Sequence, residues 1–202
     1  KQPAAALQML AGIPNTDPIS AIVRMRRVAL MEKLGRGDDA TEELEKLVHD
    51  YPESPLPDMT LGDMLRIKQR FPAAIAAYDR AAARIRQPGP NDWPLYYNRG
   101  IAYERANQWS KAEADFKHAL ALAPDQPFVL NYLGYSWADK GEHLPEARRM
   151  LQRAAEKRPN DGAVVDSLGW VMLRQGQVAD AVRLLERAVE LDSEDATING
   201  HL

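Results

Sequence analysis

Glycine recurs at a regular interval along this chain, and that recurrence limits the possible folds more than any other feature. Gly100, Gly134 and Gly169 lie 34 and 35 residues apart, and Gly62 precedes them in a similar local setting. An alanine follows each glycine after 12 or 13 residues, a bulky apolar residue comes four later, and a second alanine three after that. These positions form three sets of residues. The first alanines are Ala74, Ala112, Ala147 and Ala181, the bulky apolar residues are Tyr78, Phe116, Leu151 and Leu185, and the second alanines are Ala81, Ala119, Ala154 and Ala188. A chain with such a period folds as an array of similar units.

The spacing inside each unit predicts two helices. Apolar or small residues three, four and seven positions apart mark one face of an α-helix. Each unit therefore contains two amphipathic helices of roughly 13 residues, joined by a polar turn such as Lys140-Gly141-Glu142. Glycine inside a helix costs about 1 kcal/mol relative to alanine, so its recurrence needs a reason. We expect the helix of Gly134 to nest closely against the helix that carries Ala147 and Ala154.

This pattern resembles the tetratricopeptide repeat (TPR), a helix-turn-helix unit of about 34 residues with the motif W-x2-L-G-x2-Y, then A-x3-F, then P. The best copy, residues 93–126, keeps Gly100, Tyr103, Ala112 and Phe116, although Arg99 stands where leucine is usual. The resemblance covers nearly the whole chain. It implies an all-α fold, a right-handed superhelical solenoid of helix-turn-helix TPR units.

Five repeats and two partial ones account for the chain. The predicted array covers residues 21–195, and its repeats are 21–54, 55–88, 93–126, 127–161 and 162–195. Residues 1–20 would be a partial repeat, its second helix, followed by a linker. Residues 196–202 would be the truncated start of a further repeat, in which Leu202 takes the place of Leu168. Because Lys1 is not an initiator methionine and both ends look cut, we expect a piece of a longer array.

The resemblance implies that the first helix of each repeat lines a concave groove. Successive helical residues turn by about 100°, so the face opposite Gly134 carries Asn131 and Tyr135. The predicted groove residues are Tyr97, Asn98, Arg105, Phe128, Asn131, Tyr135, Asp166, Trp170 and Arg174. Aromatic side chains are enriched where proteins recognise one another, and an asparagine amide can both donate to and accept from a peptide backbone. Asp166 is a candidate to hold a basic side chain or a ligand amide.

Other interpretations of these groove residues stay open. Tyr135 and Trp170 can equally pack against a neighbouring helix, and the polar residues can simply be solvated. The co-chaperone members of the family grip a C-terminal carboxylate with lysine, arginine and asparagine. At the matching positions this chain carries Tyr97, Ile101, Tyr132, Ala163 and Ser167. That difference argues against a carboxylate clamp, and an aromatic groove favours an extended or helical segment with apolar anchors.

Composition excludes several classes of function. A net charge of -3 and a pI near 5.9 do not suit binding to nucleic acid or anionic lipid. No apolar run reaches the roughly 18 residues that indicate a membrane span. No nucleotide-binding, nucleophile-elbow or zinc-protease motif occurs. The four histidines, His49, His118, His143 and His201, are not spaced as metal ligands on one helical face. We therefore predict no catalytic, metal or cofactor site.

The function predicted from the sequence is a non-enzymatic scaffold or adaptor that binds a peptide segment of a partner protein. Two further hypotheses are a docking arm of a larger enzyme or assembly, and a module that self-associates through exposed ends. The segments 131–135 and 166–170, with sequences NYLGY and DSLGW, resemble bacterial envelope members of the family. That resemblance implies a periplasmic or envelope-associated protein. A cytoplasmic location is the alternative, since the absence of cysteine suits both compartments.

Overall fold

The computed structural model describes residues 2–14 and 19–202, and that part of the chain is built from α-helices without strands. A 3-10 turn, Pro90–Asp92, lies in the spacer before α6. The helices are α1 Gln2–Ala11, α2 Ser20–Lys33, α3 Gly37–Asp50, α4 Leu56–Ile67, α5 Phe71–Arg84, α6 Trp93–Arg105, α7 Trp109–Leu122, α8 Pro127–Lys140, α9 Leu144–Lys157, α10 Gly162–Arg174, α11 Val178–Leu191 and α12 Ala196–His201. None of these helices combines the length and the apolar character that a membrane span requires. The predicted all-α, helix-turn-helix architecture is confirmed.

The turn inside each repeat ends the first helix in the same way. A residue at the helix end adopts the left-handed backbone conformation, and these residues are Gly35, Gln69, Asn107, Gly141 and Gly176; the longer turn after α8 has a second such residue, His143. The next residue then donates its backbone N–H to a carbonyl five positions earlier, for example from Gln177 to Met172 at 2.9 Å. This hydrogen bond is typical of a glycine-type helix C-cap. Glycine adopts a positive φ without steric cost, which explains its place at Gly141 (φ 72°) and Gly176 (φ 78°).

The alanine and bulky apolar positions of the second helices form the core. Every member of the three predicted sets is buried, from Ala74, Tyr78 and Ala81 in α5 to Ala188 in α11. The weakest repeat follows the same rule, because Ala40, Leu44 and Leu47 of α3 are all fully buried. Small residues at these positions allow the helices to approach, and the bulky residue between them fills the space that remains.

Glycine in the first helices permits close packing, as predicted for α8 and α9. A β-carbon at Gly134 would lie 2.8 Å from the Leu151 Cγ and 3.2 Å from the Ala147 carbonyl oxygen. Ala154, two helical turns after Ala147, packs against Leu130 on the same helix as Gly134 and against Val164. Both small residues of α9 therefore face α8.

Contacts between helices divide the chain into two compact units, an N-terminal unit that ends at Asp115 and a C-terminal unit that begins at Phe116. The N-terminal unit contains α1 to α6, and the C-terminal unit contains α8 to α12. The division between the units falls inside α7. The finer boundaries of the individual repeats stay a prediction.

Candidate functional site

Three first helices of the C-terminal unit meet around one histidine. The His201 ring of α12 stacks on Trp170 of α10, with centroids 4.3 Å apart and an interplanar angle of 16°. It also faces Tyr135 of α8 at 6.1 Å. The His201 Nδ1 lies 2.8 Å from the Asp166 Oδ2, and Nδ1 is the donor because an ionised carboxylate only accepts. We call Asn131, Tyr135, Asp166, Trp170 and His201 the Asp166 cluster.

Helix α12 holds His201 in this position through its own packing and capping. Ile198 is 2% exposed and packs with Val165 and Ala188. The Asp195 carboxylate accepts hydrogen bonds from the backbone amides of Thr197 at 2.7 Å and Ile198 at 3.1 Å. An N-cap carboxylate of this kind satisfies amides that a helix leaves open at its start. The backbone of α12 is therefore fixed independently of the His201 side chain.

Three polar atoms of the Asp166 cluster are buried without a hydrogen-bond partner in the described chain. They are Asn131 Oδ1, Asp166 Oδ1 and Trp170 Nε1. Asp166 itself is only 3% exposed, so its free oxygen lies beneath the surrounding side chains. A buried donor or acceptor that lacks a partner costs about 1 to 3 kcal/mol. Such atoms are rare in native proteins, and a group of three on one face suggests a place where another molecule supplies the partners.

The electrostatic surroundings of the Asp166 cluster favour positive charge. Burial raises the pKa of the Asp166 carboxyl and the nearby Asp195 carboxylate raises it further, while the hydrogen bond from His201 acts in the opposite direction. Burial also raises the pKa of the Tyr135 hydroxyl, with added contributions from Asp139 and Asp166. A cation or hydrogen-bond donor placed here would relieve the repulsion among these negative groups.

The other two predicted groove residues of the C-terminal unit, Phe128 and Arg174, each take part in a contact between an aromatic ring and a guanidinium group. The Phe128 ring is 45% exposed, and the Arg158 guanidinium lies over it at 4.5 Å from its centroid. The Arg174 guanidinium lies 5.8 Å from the centroid of the Trp170 ring. Both are cation–π contacts, which contribute about 0.5 to 1 kcal/mol at exposed sites.

The N-terminal unit contains a second polar group, on α4, α5 and α6, and no buried polar atom of this group lacks a hydrogen-bond partner. The Asp63 Oδ1 accepts from the Asn98 Nδ2 at 2.8 Å and from the Tyr78 hydroxyl at 2.6 Å. The Arg66 guanidinium adds an ion pair at 3.8 Å. We call Asp63, Arg66, Tyr78 and Asn98 the Asp63 cluster. It joins helices α4, α5 and α6, so Asn98 contributes to the structure of this unit.

The remaining predicted residues of the N-terminal unit lie on α6. The Tyr97 ring contacts the Trp93 ring at 5.7 Å, and burial raises the pKa of its hydroxyl. The Arg105 side chain is 62% exposed, and its Nε lies 3.4 Å from the Glu104 Oε2. Arg105 also lines a cleft together with Arg66, Gln69, Phe71 and Ile101.

Three of the predicted residues, Tyr135, Asp166 and Trp170, thus contact the same His201 side chain. Asn131 lies one helical turn before Tyr135 on α8, and its role in a binding site stays a prediction. One alternative is corrected: Asp166 is not a solvated surface carboxylate, because it is almost completely buried. Sequence reasoning missed His201, which it had considered only as a metal ligand. The signal was present, because Leu202 follows Leu168 by one repeat, which places His201 one repeat after Ser167 on the same helical position.

Comparison with known proteins identifies the family. Two models of the tetratricopeptide repeat match this chain, one over residues 61–130 and the other over residues 138–196. Together with the helical pairs described above, these matches establish that the chain belongs to the TPR family.

A curated relative is the TPR repeat-containing protein PA4667 of Pseudomonas aeruginosa, which is 32% identical over 192 residues. The alignment covers 94% of this chain and 32% of that protein, so the chain spans about a third of the length of this relative. Among solved structures, the type IV pilus biogenesis factor PilW has a TM-score of 0.79 at 19% identity, with 98% of this chain and 90% of that chain covered. YrrB, described as a TPR protein with an unusual peptide-binding site, has a TM-score of 0.69 at 15% identity, with 100% and 97% covered. At these identities the two structures support the fold alone.

Proposed function

We propose that this chain is a non-enzymatic scaffold or adaptor, and that it binds a peptide segment of a partner protein on the first helices of the C-terminal unit. The observation that carries the proposal is the presence of three buried polar atoms without partners in the Asp166 cluster. One of them belongs to the Trp170 ring, and Trp170 and Tyr135 are both partly exposed. An extended segment offers backbone N–H donors and carbonyl acceptors, and a helical segment offers polar side chains in their place. Either can supply partners for these atoms while its apolar side chains contact the rings.

The aromatic residues supply the expected binding energy. Tryptophan and tyrosine present a large rigid surface with few rotamers to immobilise, and they dominate measured hot spots in protein interfaces. Truncating a hot-spot residue to alanine weakens the binding free energy by about 2 kcal/mol or more. Because the site lies on the first helices, the second helices remain free to hold the array together through their alanine-rich core.

A peptide selection tests this proposal. A random 12-residue library displayed on phage is selected on the immobilised chain, and the enriched peptides are synthesised and measured by fluorescence anisotropy. Trp170→Ala should weaken binding about 30-fold. The control variant Val178→Ala removes an exposed apolar side chain from α11 and should leave binding unchanged. A wild-type chain that enriches no peptide, or peptides that bind both variants equally, would reject the Asp166 cluster as the binding site.

We further propose that the protein works in the bacterial envelope, on the periplasmic side. The support is the resemblance of segments 131–135 and 166–170 to envelope members, together with the Pseudomonas relative and the structural likeness to a pilus biogenesis factor. Protease accessibility of the full-length protein in spheroplasts tests this location. Digestion in intact spheroplasts agrees with it, and digestion only after the inner membrane is lysed contradicts it.

A further inference from the structure

The His201 imidazole shows which chemical group fits over Asp166. Its ring lies nearly parallel to the Trp170 ring, at 4.3 Å and 16°, and its Nδ1 donates to the Asp166 Oδ2 at 2.8 Å. The group at this place is therefore flat, delocalised and an N–H donor. An arginine guanidinium has the same three properties, since it stacks on aromatic faces and donates to carboxylates from a rigid plane.

Imidazole satisfies only part of the Asp166 carboxylate. One ring nitrogen reaches Oδ2, whereas Oδ1 remains buried without a partner. A guanidinium donates two parallel N–H bonds and can satisfy both carboxylate oxygens at once. For this carboxylate, an arginine is therefore a more complete partner than the histidine that contacts it.

The charges around the Asp166 cluster complement a cation. The carboxylates of Asp139 and Asp195 act on Tyr135 and Asp166 respectively, and Asp166 adds a third negative charge. The opposing charges are His201, which lowers the pKa of Asp166, and Arg174, whose side chain is exposed and borders Trp170. Solvent screens the exposed charges of Asp139 and Arg174 alike, so the buried Asp166 carboxylate is the charge that favours a positively charged side chain once His201 has moved away.

The His201 side chain can leave without unfolding its helix. Ile198 and the Asp195 cap fix the α12 backbone, and His201 contributes its ring contacts and one hydrogen bond. A change of rotamer would move the imidazole off Trp170 and release the Asp166 Oδ2 from its hydrogen bond. Such side-chain motions need no movement of the helix backbone.

We propose that the Asp166 cluster is a subsite for an arginine side chain of the bound segment, which replaces the His201 imidazole on Trp170 and Asp166. The inference rests on the proposed peptide-binding function and specifies which residue the groove selects. His201 acts as an internal competitor that covers the subsite in the free protein. Lysine fits less well, because its ammonium group can neither stack on Trp170 nor bind both carboxylate oxygens in one plane.

The selected peptides test the subsite directly. We expect arginine to be enriched at one position of the library, with lysine and glutamine disfavoured there. Three synthetic versions of the best peptide carry arginine, lysine or glutamine at that position, and dissociation constants are measured for each. On the wild-type chain, the change from arginine to glutamine should weaken binding about 30-fold.

Two protein variants separate the subsite from general peptide binding. On Asp166→Asn, the arginine and glutamine peptides should bind alike, because the charged partner is gone. On His201→Ala, the arginine peptide should bind at least about threefold more tightly, because a larger fraction of molecules has an open subsite. Circular dichroism of both variants checks that their helix content is unchanged.

The possible failures are distinguishable. Peptides that require Trp170 but show no arginine preference would overturn the subsite and leave the proposed function intact. Weaker binding of the arginine peptide to His201→Ala would make His201 a permanent wall of the site and would also overturn the inference. A selection that enriches no peptide would reject the proposed function together with the subsite.

Discussion

The two polar clusters differ in whether they contain buried polar atoms that lack a hydrogen-bond partner: the Asp63 cluster has none, and the Asp166 cluster has three. In the Asp63 cluster of the N-terminal unit, one carboxylate oxygen accepts from both Tyr78 and Asn98. In the Asp166 cluster of the C-terminal unit, His201 occupies one oxygen and the other has no partner. The first arrangement stabilises the fold by itself. The second leaves a cost of about 1 to 3 kcal/mol per buried group, which a bound segment can remove.

The comparison indicates that repeats with the same backbone arrangement can use one position differently, either for hydrogen bonds within the fold or for an exposed surface. Asp63 and Trp170 each follow the repeat glycine by one residue, in the segments Gly62-Asp63 and Gly169-Trp170. The carboxylate at this position ties α4 to its neighbours, whereas the indole at the same position offers a surface. The backbone contacts behind them are alike, since Gly62 packs on the Tyr78 ring and Gly169 on Leu185.

The largest expected effect is a loss of stability on replacing the repeat glycine, and it tests whether both units depend on the same close approach of paired helices. A β-carbon would lie 2.6 Å from the Tyr78 ring at Gly62 and 2.8 Å from Leu151 at Gly134. Gly62→Val and Gly134→Val should therefore each lower the free energy of unfolding by about 1 to 3 kcal/mol, or more if the helices separate. Thermal or urea unfolding measures the change.

Gly200→Ala is the matched control for these substitutions. A β-carbon at Gly200 would meet no atom within 4 Å, and alanine is favoured over glycine in a helix by about 1 kcal/mol. This variant should be as stable as the wild type or slightly more stable. Equal behaviour of Gly134→Val and Gly200→Ala would contradict the close approach of α8 and α9.

The next effect compares the two carboxylates. Asp63→Ala removes the acceptor of the buried Tyr78 hydroxyl and of Asn98, so it should cost about 1 to 3 kcal/mol of stability. Asp166→Asn keeps the shape and still accepts from His201, and it removes a buried charge, so no loss of stability is expected. Chemical denaturation of both variants at pH 7 measures the difference. A larger loss for Asp166→Asn than for Asp63→Ala would reverse our assignment of structural and binding roles.

The smallest effect is the pH dependence of the Asp166 cluster. Because burial raises the pKa of Asp166, the folded state holds its proton to higher pH than the unfolded state does. Its contribution to stability is therefore greatest below the ordinary aspartate pKa of about 3.9 and is lost as the pH rises through the raised value. The stability of Asp166→Asn relative to the wild type should increase across this window.

Carbon-detected NMR titration of the side-chain carboxyls follows these groups directly. The Asp166 carboxyl should titrate above the ordinary range, and His201→Ala should raise its pKa further by removing the hydrogen bond that lowers it. The Asp125 carboxyl is an internal reference, because the hydrogen bond from Arg153 lowers its pKa. An Asp166 pKa at or below that of Asp125 would show that the carboxylate is better satisfied than its contacts indicate.

Much of the fold was predictable from the sequence, because its determinants are local and repeated. The glycine, alanine and bulky apolar positions specify helix faces at fixed spacing, and the polar turns fall where Gly141 and Gly176 adopt a positive φ. The register of Gly134 against Leu151 was less predictable. Which residue of a facing helix fills the space above a glycine depends on crossing geometry, and sequence spacing does not specify that geometry.

The candidate site was predictable as a face but not as a set of contacts. The rotation of helical residues predicted that Asn131, Tyr135, Asp166 and Trp170 share one surface. It did not predict that Asp63 would bind Asn98, or that His201 would cover Asp166, because both contacts join different repeats through side-chain rotamers. Hydrogen bonds between repeats depend on the distance between neighbouring first helices, which the motif leaves unspecified.

The indole N–H resonance of Trp170 gives the most direct test of the central claim that a bound segment completes the Asp166 cluster. The chain has four tryptophans, so four indole signals are expected in a ¹H–¹⁵N spectrum, and Trp170→Phe assigns the relevant one. Adding a selected peptide should shift this signal and slow its exchange with water, because the Trp170 Nε1 gains an acceptor, while the Trp93 signal stays in place. A Trp170 signal that remains unchanged at saturating peptide would contradict the account.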